Sequence, residues 1–217
     1  MKRRYFLTAL LLAASALSMS AAQAQTVGKE YTLLEPAMPA ETPGKIEVLE
    51  FFSYGCIHCY KLHPFAKQWS AKAPADVVFK RIPVTFDRPQ MRPMAKLFYA
   101  LEVTGDLAKL DDAAFAAVHD QKINLATDES VIKWVSGQGI DAKKFIDAYN
   151  SFGVQNKVAR GEQLTKSYRV QGTPAVYVDG RFAVRNEGVQ GGYGDIFQIT
   201  DKLVGMARQP KTRGIRG

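Results

Sequence analysis

The residues of this 217-residue chain with the clearest capacity for chemistry are Cys56 and Cys59, its only two cysteines. Two residues separate them, so both sulfurs can meet within one turn of a helix. Such a pair can exchange disulfides, because one thiolate attacks a sulfur of another molecule and the second cysteine resolves the mixed disulfide. The spacing therefore predicts a thiol–disulfide redox site, which the rest of the chain must position.

The two cysteines are predicted to differ in reactivity because they occupy different places at the start of a helix. An apolar run, Ile46 to Phe52, leads into the pair, and a helical segment, Tyr60 to Lys72, follows it. A thiolate at a helix start lies over unpaired N–H groups and the positive end of the dipole, which lower its pKa. Cys56 is therefore the predicted nucleophile and Cys59 the predicted resolving thiol.

Ile57 and His58 lie between the cysteines and are predicted to tune them. An imidazole donor beside Cys56 would stabilise the thiolate and hence the reduced form, which makes the disulfide a stronger oxidant. Alternatively, His58 is only a polar residue on an exposed turn. The cysteines themselves could also form a structural disulfide or remain inert thiols.

A zinc site is the other chemistry that this region allows. Its four candidate ligands are Cys56, His58, Cys59 and His63. A closed zinc site needs four ligands that converge in a tetrahedron, whereas these positions point around more than one face of a helix. We therefore predict no metal site here, and we expect the remaining histidine, His119, on the surface of a helix.

Glu50 is a carboxylate inside an apolar strand pattern, where burial is costly without a partner or a task. Burial would raise its pKa, and a position behind the helix start would let it exchange a proton with Cys59. The alternative is an exposed strand end, or an ion pair with a lysine such as Lys80. We predict the proton-relay role.

Thr173-Pro174 directly precedes another strand pattern and is the third candidate element of the site. Proline lowers the cost of a cis peptide bond, and tight turns use this property. Only about 6% of X-Pro bonds in folded proteins are cis, however. Sequence physics alone therefore leaves the isomer open.

The apolar patterning around the site predicts an α/β layer fold. Strands are predicted at Ile46 to Phe52 and Val77 to Val84, joined by the helix that carries the cysteines. After a helix over residues 152–168, a hairpin is predicted around Asp179-Gly180, since this dipeptide suits a tight turn. A Gly-rich loop with Gly188 and Gly191 and a final helix complete this part.

A helical unit is predicted to interrupt that fold, because nothing from Asp87 to Asn150 has the pattern of a strand. Thr127 and Asp141 are predicted to cap two of its helices. Another helix, marked by Phe115, is predicted to begin behind Asp111-Asp112. The chain is thus divided into residues 25–86 and 151–217 of the layered part, with an all-helical insertion at 87–150.

The N-terminus, residues 1–24, has the three parts of a cleaved signal peptide. Lys2 to Arg4 are basic, Tyr5 to Met19 are mostly apolar, and Ala22-Gln23-Ala24 is a small-x-small cleavage pattern. The apolar part is too short for a membrane span; an uncleaved anchor is the alternative. The mature chain is therefore expected outside the cytoplasm, where a cysteine pair can stay oxidised.

The basic charge of the chain does not predict a nucleic-acid partner. Removing the three signal-peptide charges lowers the formal net charge from +8 to +5 (8 − 3), and part of this surplus lies in a C-terminal tail. The tail residues concerned are Arg208, Lys211, Arg213 and Arg216. No aromatic residue is interleaved among them, as nucleic-acid stacking would require.

These motifs together resemble the DsbA proteins of the bacterial periplasm. The resemblance rests on the run Glu50 to Tyr60, on Gly172-Thr173-Pro174-Ala175, and on the helical insertion. Similar short stretches occur at Gly28 to Tyr31 and at Asn150 to Phe152. The similarity covers essentially the whole mature chain, and plain thioredoxins lack the insertion.

The resemblance implies a thioredoxin fold with an inserted helical domain and a monomeric dithiol oxidase without a cofactor. Such an oxidase passes its disulfide to newly exported proteins and is reoxidised by DsbB, a quinone-linked inner-membrane protein. The resemblance also implies that Cys56 is the nucleophile, Cys59 the resolving thiol and Glu50 the buried acid. Pro174 would be a cis-proline facing the disulfide, and Thr173 would offer backbone to a bound peptide.

Two positions depart from the family pattern. Ile57 replaces the usual proline of the dipeptide between the cysteines, and Thr173 replaces the valine that many members have. The competing functions are a reductase or isomerase of the same compartment, and a non-catalytic thioredoxin-like module or metallochaperone. A non-catalytic module should tolerate Cys56→Ser without loss of function.

Overall fold

The computed structural model describes residues 28–185 and 192–209. The predicted signal peptide, Gly188 and Gly191 of the Gly-rich loop, and the tail from residue 210 onward lie outside the described residues. None of the helices within the described ranges is long and apolar enough to cross a membrane.

A five-stranded mixed sheet forms the centre of the layered part. Its strands are β1 (Tyr31–Leu33), β2 (Ile46–Phe52), β3 (Val77–Pro83), β4 (Ala175–Val178) and β5 (Phe182–Val184), in the spatial order β1-β5-β4-β2-β3. β2 pairs in parallel with β3 and antiparallel with β4, and every β2 residue after Ile46 is buried. This continuous burial explains why β2 has an apolar sequence without alternation.

Seven α-helices and one short 3-10 helix (Pro89–Met91) accompany the sheet in the described residues. The α-helices are α1 (Ile57–Ser70), α2 (Arg92–Thr104), α3 (Leu107–His119), α4 (Asp128–Ser136), α5 (Ala142–Tyr149), α6 (Phe152–Ser167) and α7 (Tyr193–Ala207). Helices α1 and α7 share one hydrophobic core with the sheet, through residues such as Leu62 and Leu203. Leu164 of α6 belongs to a second core with Phe51 and Tyr177.

Helices α2 to α5 form the helical insertion, and its core reaches the cysteine site. This core contains Phe98, Phe115 and Phe145, and it also includes Phe52 at the end of β2 and Cys59 of α1. The α/β architecture with a helical insertion is therefore as the sequence predicted. The buried cysteine lies where the two parts of the fold meet.

The prediction of a hairpin around Asp179-Gly180 is confirmed. Asp179 and Gly180 both have positive φ, 55° and 61°, as a tight two-residue turn requires. A Cβ atom at Gly180 would lie 2.1 Å from the carbonyl oxygen of Met38. Glycine is therefore required here by the close approach of another backbone segment as well as by its own φ.

The helix caps in the insertion were also predicted correctly, but one helix start was wrong. The side chains of Thr127 and Asp141 accept the capping hydrogen bonds of α4 and α5. Helix α3, however, begins at Leu107, so Asp111-Asp112 lies inside it. The two aspartates suggested a helix start, but they are held in the helix by ion pairs with other elements, which a local signal cannot reveal.

Candidate active site

The two cysteines lie at the start of α1, immediately after the turn that follows β2. Cys56 is the N-cap residue, with φ −96° and ψ 116°, and is partly exposed. Cys59 lies in the first helical turn and is 0% exposed. Both are free thiols in this structure. An attacking molecule can therefore reach the Cys56 sulfur, while the Cys59 sulfur is covered by the helical insertion.

The surroundings of Cys56 favour its thiolate. A hydrogen bond from Cys59 is the largest effect lowering the Cys56 pKa, and partial burial opposes it. The Thr173 side chain and the backbone N–H groups of Cys59 and His58 lower the pKa further, to about 5. Cys56 is therefore a thiolate at neutral pH.

The surroundings of Cys59 have the opposite effect. Burial raises the pKa of the Cys59 thiol, and the negative charges of Cys56 and Glu50 raise it further. The two sulfurs thus differ strongly in acidity although they are one helical turn apart. This difference allows Cys56 to attack as a thiolate while Cys59 keeps its proton until a base removes it.

The Thr173–Pro174 segment forms the wall opposite Cys56. Its peptide bond is cis, as the resemblance implied, and Pro174 is buried while Gln171 and Gly172 are exposed. The Cys56 sulfur lies 3.2 Å from the carbonyl oxygen of Thr173. Backbone next to the reactive sulfur is therefore placed where an extended peptide can pair with it.

His58 is exposed, and its ring has a partner that the sequence did not indicate. Its Nδ1 lies 2.7 Å from the hydroxyl oxygen of Tyr193, the first residue of α7. The effect of His58 on the Cys56 pKa comes from its backbone N–H. Ile57, beside it, exposes 44% of its surface next to the reactive sulfur.

Glu50 is completely buried in the centre of β2. Burial raises the pKa of its carboxyl, and the nearby positive charge of Arg81 partly counters this. Arg81 Nε donates a hydrogen bond of 3.0 Å to Glu50 Oε2. The neighbour in β3 is thus an arginine, which holds the carboxylate beneath the cysteines.

Of the alternatives for Glu50, the exposed strand end is wrong, and the ion pair exists but with Arg81 rather than with a lysine such as Lys80. The parallel register of β2 and β3 places Glu50 opposite Arg81 and Leu49 opposite Lys80. Successive side chains of a strand point to opposite faces. Lys80 therefore lies on the other face, where its Nζ is 2.6 Å from Glu47 Oε1.

A buried charge cluster extends from Glu50 and was not predicted from the sequence. Arg81 also donates to Asp111 Oδ2, and the Tyr54 hydroxyl donates to Asp111 Oδ1 at 2.7 Å. His63 Nε2 lies 3.7 Å from the same Asp111. The one available signal was the pair of basic residues, Lys80-Arg81, inside an otherwise apolar strand.

The remaining histidines are held by other groups. His63 Nε2 is 2.7 Å from Asp112 Oδ1. His119 ends α3 and is partly buried rather than fully on the surface, with Nε2 at 2.8 Å from the Tyr54 carbonyl oxygen and its ring stacked on Tyr60. Within residues 28–185 and 192–209, no three His, Cys, Asp or Glu residues form a group that could hold a metal ion.

Comparisons with known proteins agree with this arrangement of sheet, insertion and cysteines. A family model described as DSBA-like thioredoxin domain matches residues 47–192. The thiol:disulfide interchange protein DsbA of Bordetella parapertussis is 36% identical over 203 residues, which cover 94% of this chain and 96% of the relative. The protein of the same name from Burkholderia cepacia is 41% identical over 180 residues, covering 81% of this chain and 84% of the relative.

Solved structures give the same result for the fold. The crystal structure of Pseudomonas aeruginosa DsbA superposes with a TM-score of 0.79 at 36% sequence identity, covering 84% of this chain and 94% of that one. The predicted thioredoxin-like fold with a helical insertion is therefore confirmed.

Proposed function

Because this chain belongs to the DSBA-like thioredoxin family and is a thiol:disulfide oxidoreductase, we propose that it is a dithiol oxidase of the periplasm. It donates its Cys56–Cys59 disulfide to newly exported proteins that carry free thiols. Residues 1–24 would direct its export and be removed. Among known relatives, the name thiol:disulfide interchange protein is consistent with this role.

The observation that carries the proposal is the Cys56 pKa, which its surroundings lower to about 5. A stable thiolate favours the dithiol over the disulfide, so the protein tends to pass its disulfide on. The same low pKa makes Cys56 a good leaving group, because thiols of low pKa leave fastest in exchange. Both effects favour oxidation of a client over reduction of its disulfides.

The exchange proceeds through a mixed disulfide. A client thiolate attacks the accessible Cys56 sulfur, the Cys56–Cys59 bond breaks, and Cys59 leaves as a thiolate that takes up a proton. A second client thiolate then attacks the client sulfur of the mixed disulfide, which releases Cys56 as a thiolate. The client gains a disulfide and the oxidase becomes a dithiol. Glu50, buried beneath the pair, supplies or removes the Cys59 proton.

Client binding is assigned to the surface around Cys56. Thr173 and Pro174 present the backbone that an extended client segment would pair with, and the exposed Ile57, next to Cys56 in the chain, offers an apolar contact. Backbone pairing and a small apolar contact suit unfolded clients, because neither depends on one particular sequence. We propose these three residues as the substrate-binding set.

Reoxidation requires a partner that accepts two electrons from the dithiol. We propose a DsbB-like, quinone-linked protein of the inner membrane, with the oxidase acting as a monomer. The domain division of 25–86, 87–150 and 151–217 is also a proposal. It is supported by helices α2 to α5, which follow one another between β3 and α6 without an intervening strand.

The alternative is a reductase or isomerase of the same fold, and the redox equilibrium with glutathione separates it from an oxidase. For an oxidase we expect a reduction potential well above about −180 mV, the value of protein disulfide isomerase. A potential near thioredoxin's, about −270 mV, would instead identify a reductase. The Ile57→Pro variant, measured in parallel, shows how much Ile57 shifts the reduction potential. The shift should not move the protein from the range of oxidases to that of reductases.

A further inference from the structure

His63 is a buried histidine that connects the interior of the site with the solvent. It lies one helical turn beyond Cys59 on α1 and is 6% exposed. Its Nε2 is 2.7 Å from Asp112 Oδ1. Because a carboxylate oxygen can only accept, this contact places the ring hydrogen on Nε2 and leaves Nδ1 as a proton acceptor. The ring therefore has one end bound and the other end available.

The Nδ1 atom of His63 is one of several buried polar atoms in this cluster that lack a partner. Within the described part of the chain, Glu50 Oε1, His63 Nδ1 and Arg81 Nη2 are buried and make no hydrogen bond. A buried polar atom without a hydrogen bond destabilises the fold, so three in one cluster require an explanation. Arg81 binds both Glu50 and Asp111, and His63 Nε2 lies 3.7 Å from Asp111, so Glu50 and His63 belong to the same cluster.

The outer end of His63 reaches solvent through Asp112. The Asp112 side chain is 60% exposed and also binds Lys67, with Nζ at 2.6 Å from Oδ2. A surface groove of about 590 Å³ is lined by His63, Asp112, Lys67 and Tyr60, among others. A proton that arrives at Nε2 therefore has an acceptor and bulk water next to it.

We propose that His63 is the second member of a proton relay, which carries the proton of Cys59 between Glu50 and the solvent at Asp112. The inference rests on the proposed function, since it concerns the exchange step of the same cysteine pair. Glu50 passes the proton to His63 Nδ1 directly or through one water molecule. A buried water typically makes about three hydrogen bonds to such otherwise unsatisfied groups.

Atoms, electrons and protons balance when Cys59 resolves a mixed disulfide between Cys56 and a small thiol. Cys59 gives its proton to the Glu50 carboxylate, and its thiolate attacks the Cys56 sulfur. The bond from Cys56 to the small thiol breaks, and the small thiol leaves with the electron pair. Glu50 then protonates His63 Nδ1, and His63 releases its Nε2 proton to Asp112 or water. During oxidation of a client, the proton moves in the opposite direction, from the solvent through His63 and Glu50 to the Cys59 thiolate.

The charged surroundings of His63 fit transient protonation of its ring. The titratable or charged groups that face it are Glu50 of β2, Tyr54 after β2, Arg81 of β3, Lys67 of α1, and Asp111 and Asp112 of α3. Three of these are carboxylates. Of the two cations, Arg81 is bound to Glu50 and Asp111, and Lys67 is bound to Asp112, so neither is an unpaired positive charge beside the ring.

The relay is tested by single-turnover reoxidation of the full-length reduced protein with oxidised glutathione. Formation of the mixed disulfide at Cys56 needs no proton from Cys59, whereas its resolution does. We expect His63→Gln to slow resolution about 10- to 100-fold, within the lower part of the range for general acid–base catalysis, while mixed-disulfide formation is unchanged. Glutamine keeps the hydrogen bond to Asp112 but cannot carry a proton.

Chemical rescue distinguishes proton transfer from a structural role. Imidazole added to the His63→Ala protein should enter the groove and restore the resolution rate in proportion to its concentration. The matched controls are His119→Gln and His119→Ala, which alter a histidine of the same aromatic stack without contact to Glu50. In both variants the mixed disulfide should be resolved at the normal rate, and added imidazole should not change that rate. Glu50→Gln should also slow resolution. The variant that combines Glu50→Gln with His63→Gln should be no slower than the slower of the two single variants, because both residues act in the same step.

The possible outcomes distinguish a failure of the relay from a failure of the proposed function. Normal resolution in His63→Gln, or slow resolution in His63→Ala that imidazole does not restore, would overturn the relay and leave the oxidase proposal intact. If the unaltered protein fails to form a mixed disulfide with oxidised glutathione, the proposed function itself is wrong. Slow resolution restored by imidazole supports both.

Discussion

The Cys56→Ser variant is expected to lose disulfide-exchange activity completely, so that client thiols are oxidised only at the uncatalysed rate. Its hydroxyl cannot act as a leaving group in exchange, and the remaining Cys59 sulfur is 0% exposed, so clients cannot reach it. The measurement is oxidation of a reduced, unfolded protein by stoichiometric amounts of the oxidised enzyme, followed by free-thiol titration.

The Cys59→Ser variant tests the resolving role of the second cysteine in the same assay. It keeps the reactive Cys56 thiolate but lacks the resolving sulfur, so mixed disulfides with clients should accumulate. Serine differs from cysteine by one atom, so both variants should fold. Client oxidation that persists in Cys56→Ser, or covalent complexes that form through Cys59 in that variant, would contradict the assigned roles.

Arg81→Met is expected to lower the free energy of unfolding by about 3–5 kcal/mol, because it leaves the fully buried Glu50 without its charged partner. The guanidinium binds Glu50 and Asp111 and lies 3.9 Å from the centroid of the Phe52 ring. Methionine fills a similar apolar volume but cannot neutralise either carboxylate. Denaturant unfolding of the oxidised protein measures the loss.

Two further variants test whether charge is the cause. Lys67→Met removes one partner of an exposed pair with Asp112, both side chains being about 60% exposed, and should cost less than about 1 kcal/mol. Combining Arg81→Met with Glu50→Gln should recover part of the loss, since the uncompensated charge on Glu50 is then removed. A loss below about 1 kcal/mol in Arg81→Met alone would show that the cluster is not a significant source of stability.

The parts of the site that the sequence predicted are those encoded by neighbouring residues. The cysteine spacing, the helix start at Cys56 and the odd carboxylate Glu50 all lie in one short stretch. The hairpin at Asp179-Gly180 and the cap at Thr127 depend on the local backbone in the same way. Such signals act over a few residues, which is why they could be interpreted without the fold.

The partners of these residues could not be predicted in the same way, because they come from strand register and packing between elements. Arg81 faces Glu50 only because β2 and β3 pair in one register, and a shift of one residue would have brought Lys80 there instead. Asp111 comes from the helical insertion. Tyr193, the partner of His58, is 135 residues away in sequence. No local pattern connects these positions.

The pH dependence of the reduced protein follows from the lowered Cys56 pKa. Because the folded-state pKa, about 5, lies below the ordinary value of 9.0, ionisation of Cys56 stabilises the folded dithiol. This contribution is complete above about pH 9 and is lost as the pH falls through about 5. The partial exposure of the thiol limits it to about 2 kcal/mol at neutral pH.

The measurement that tests the central claim most directly is the titration of the Cys56 thiolate in the reduced protein, followed by its ultraviolet absorbance. The Cys56→Ser protein supplies the baseline, and Thr173→Val shows how much the threonine hydroxyl contributes. We predict a midpoint of about 5 and a reduced form that resists denaturant better than the oxidised form. A midpoint near 9.0, the ordinary value of a thiol, with the oxidised form more stable, would contradict the proposal that this protein is an oxidase.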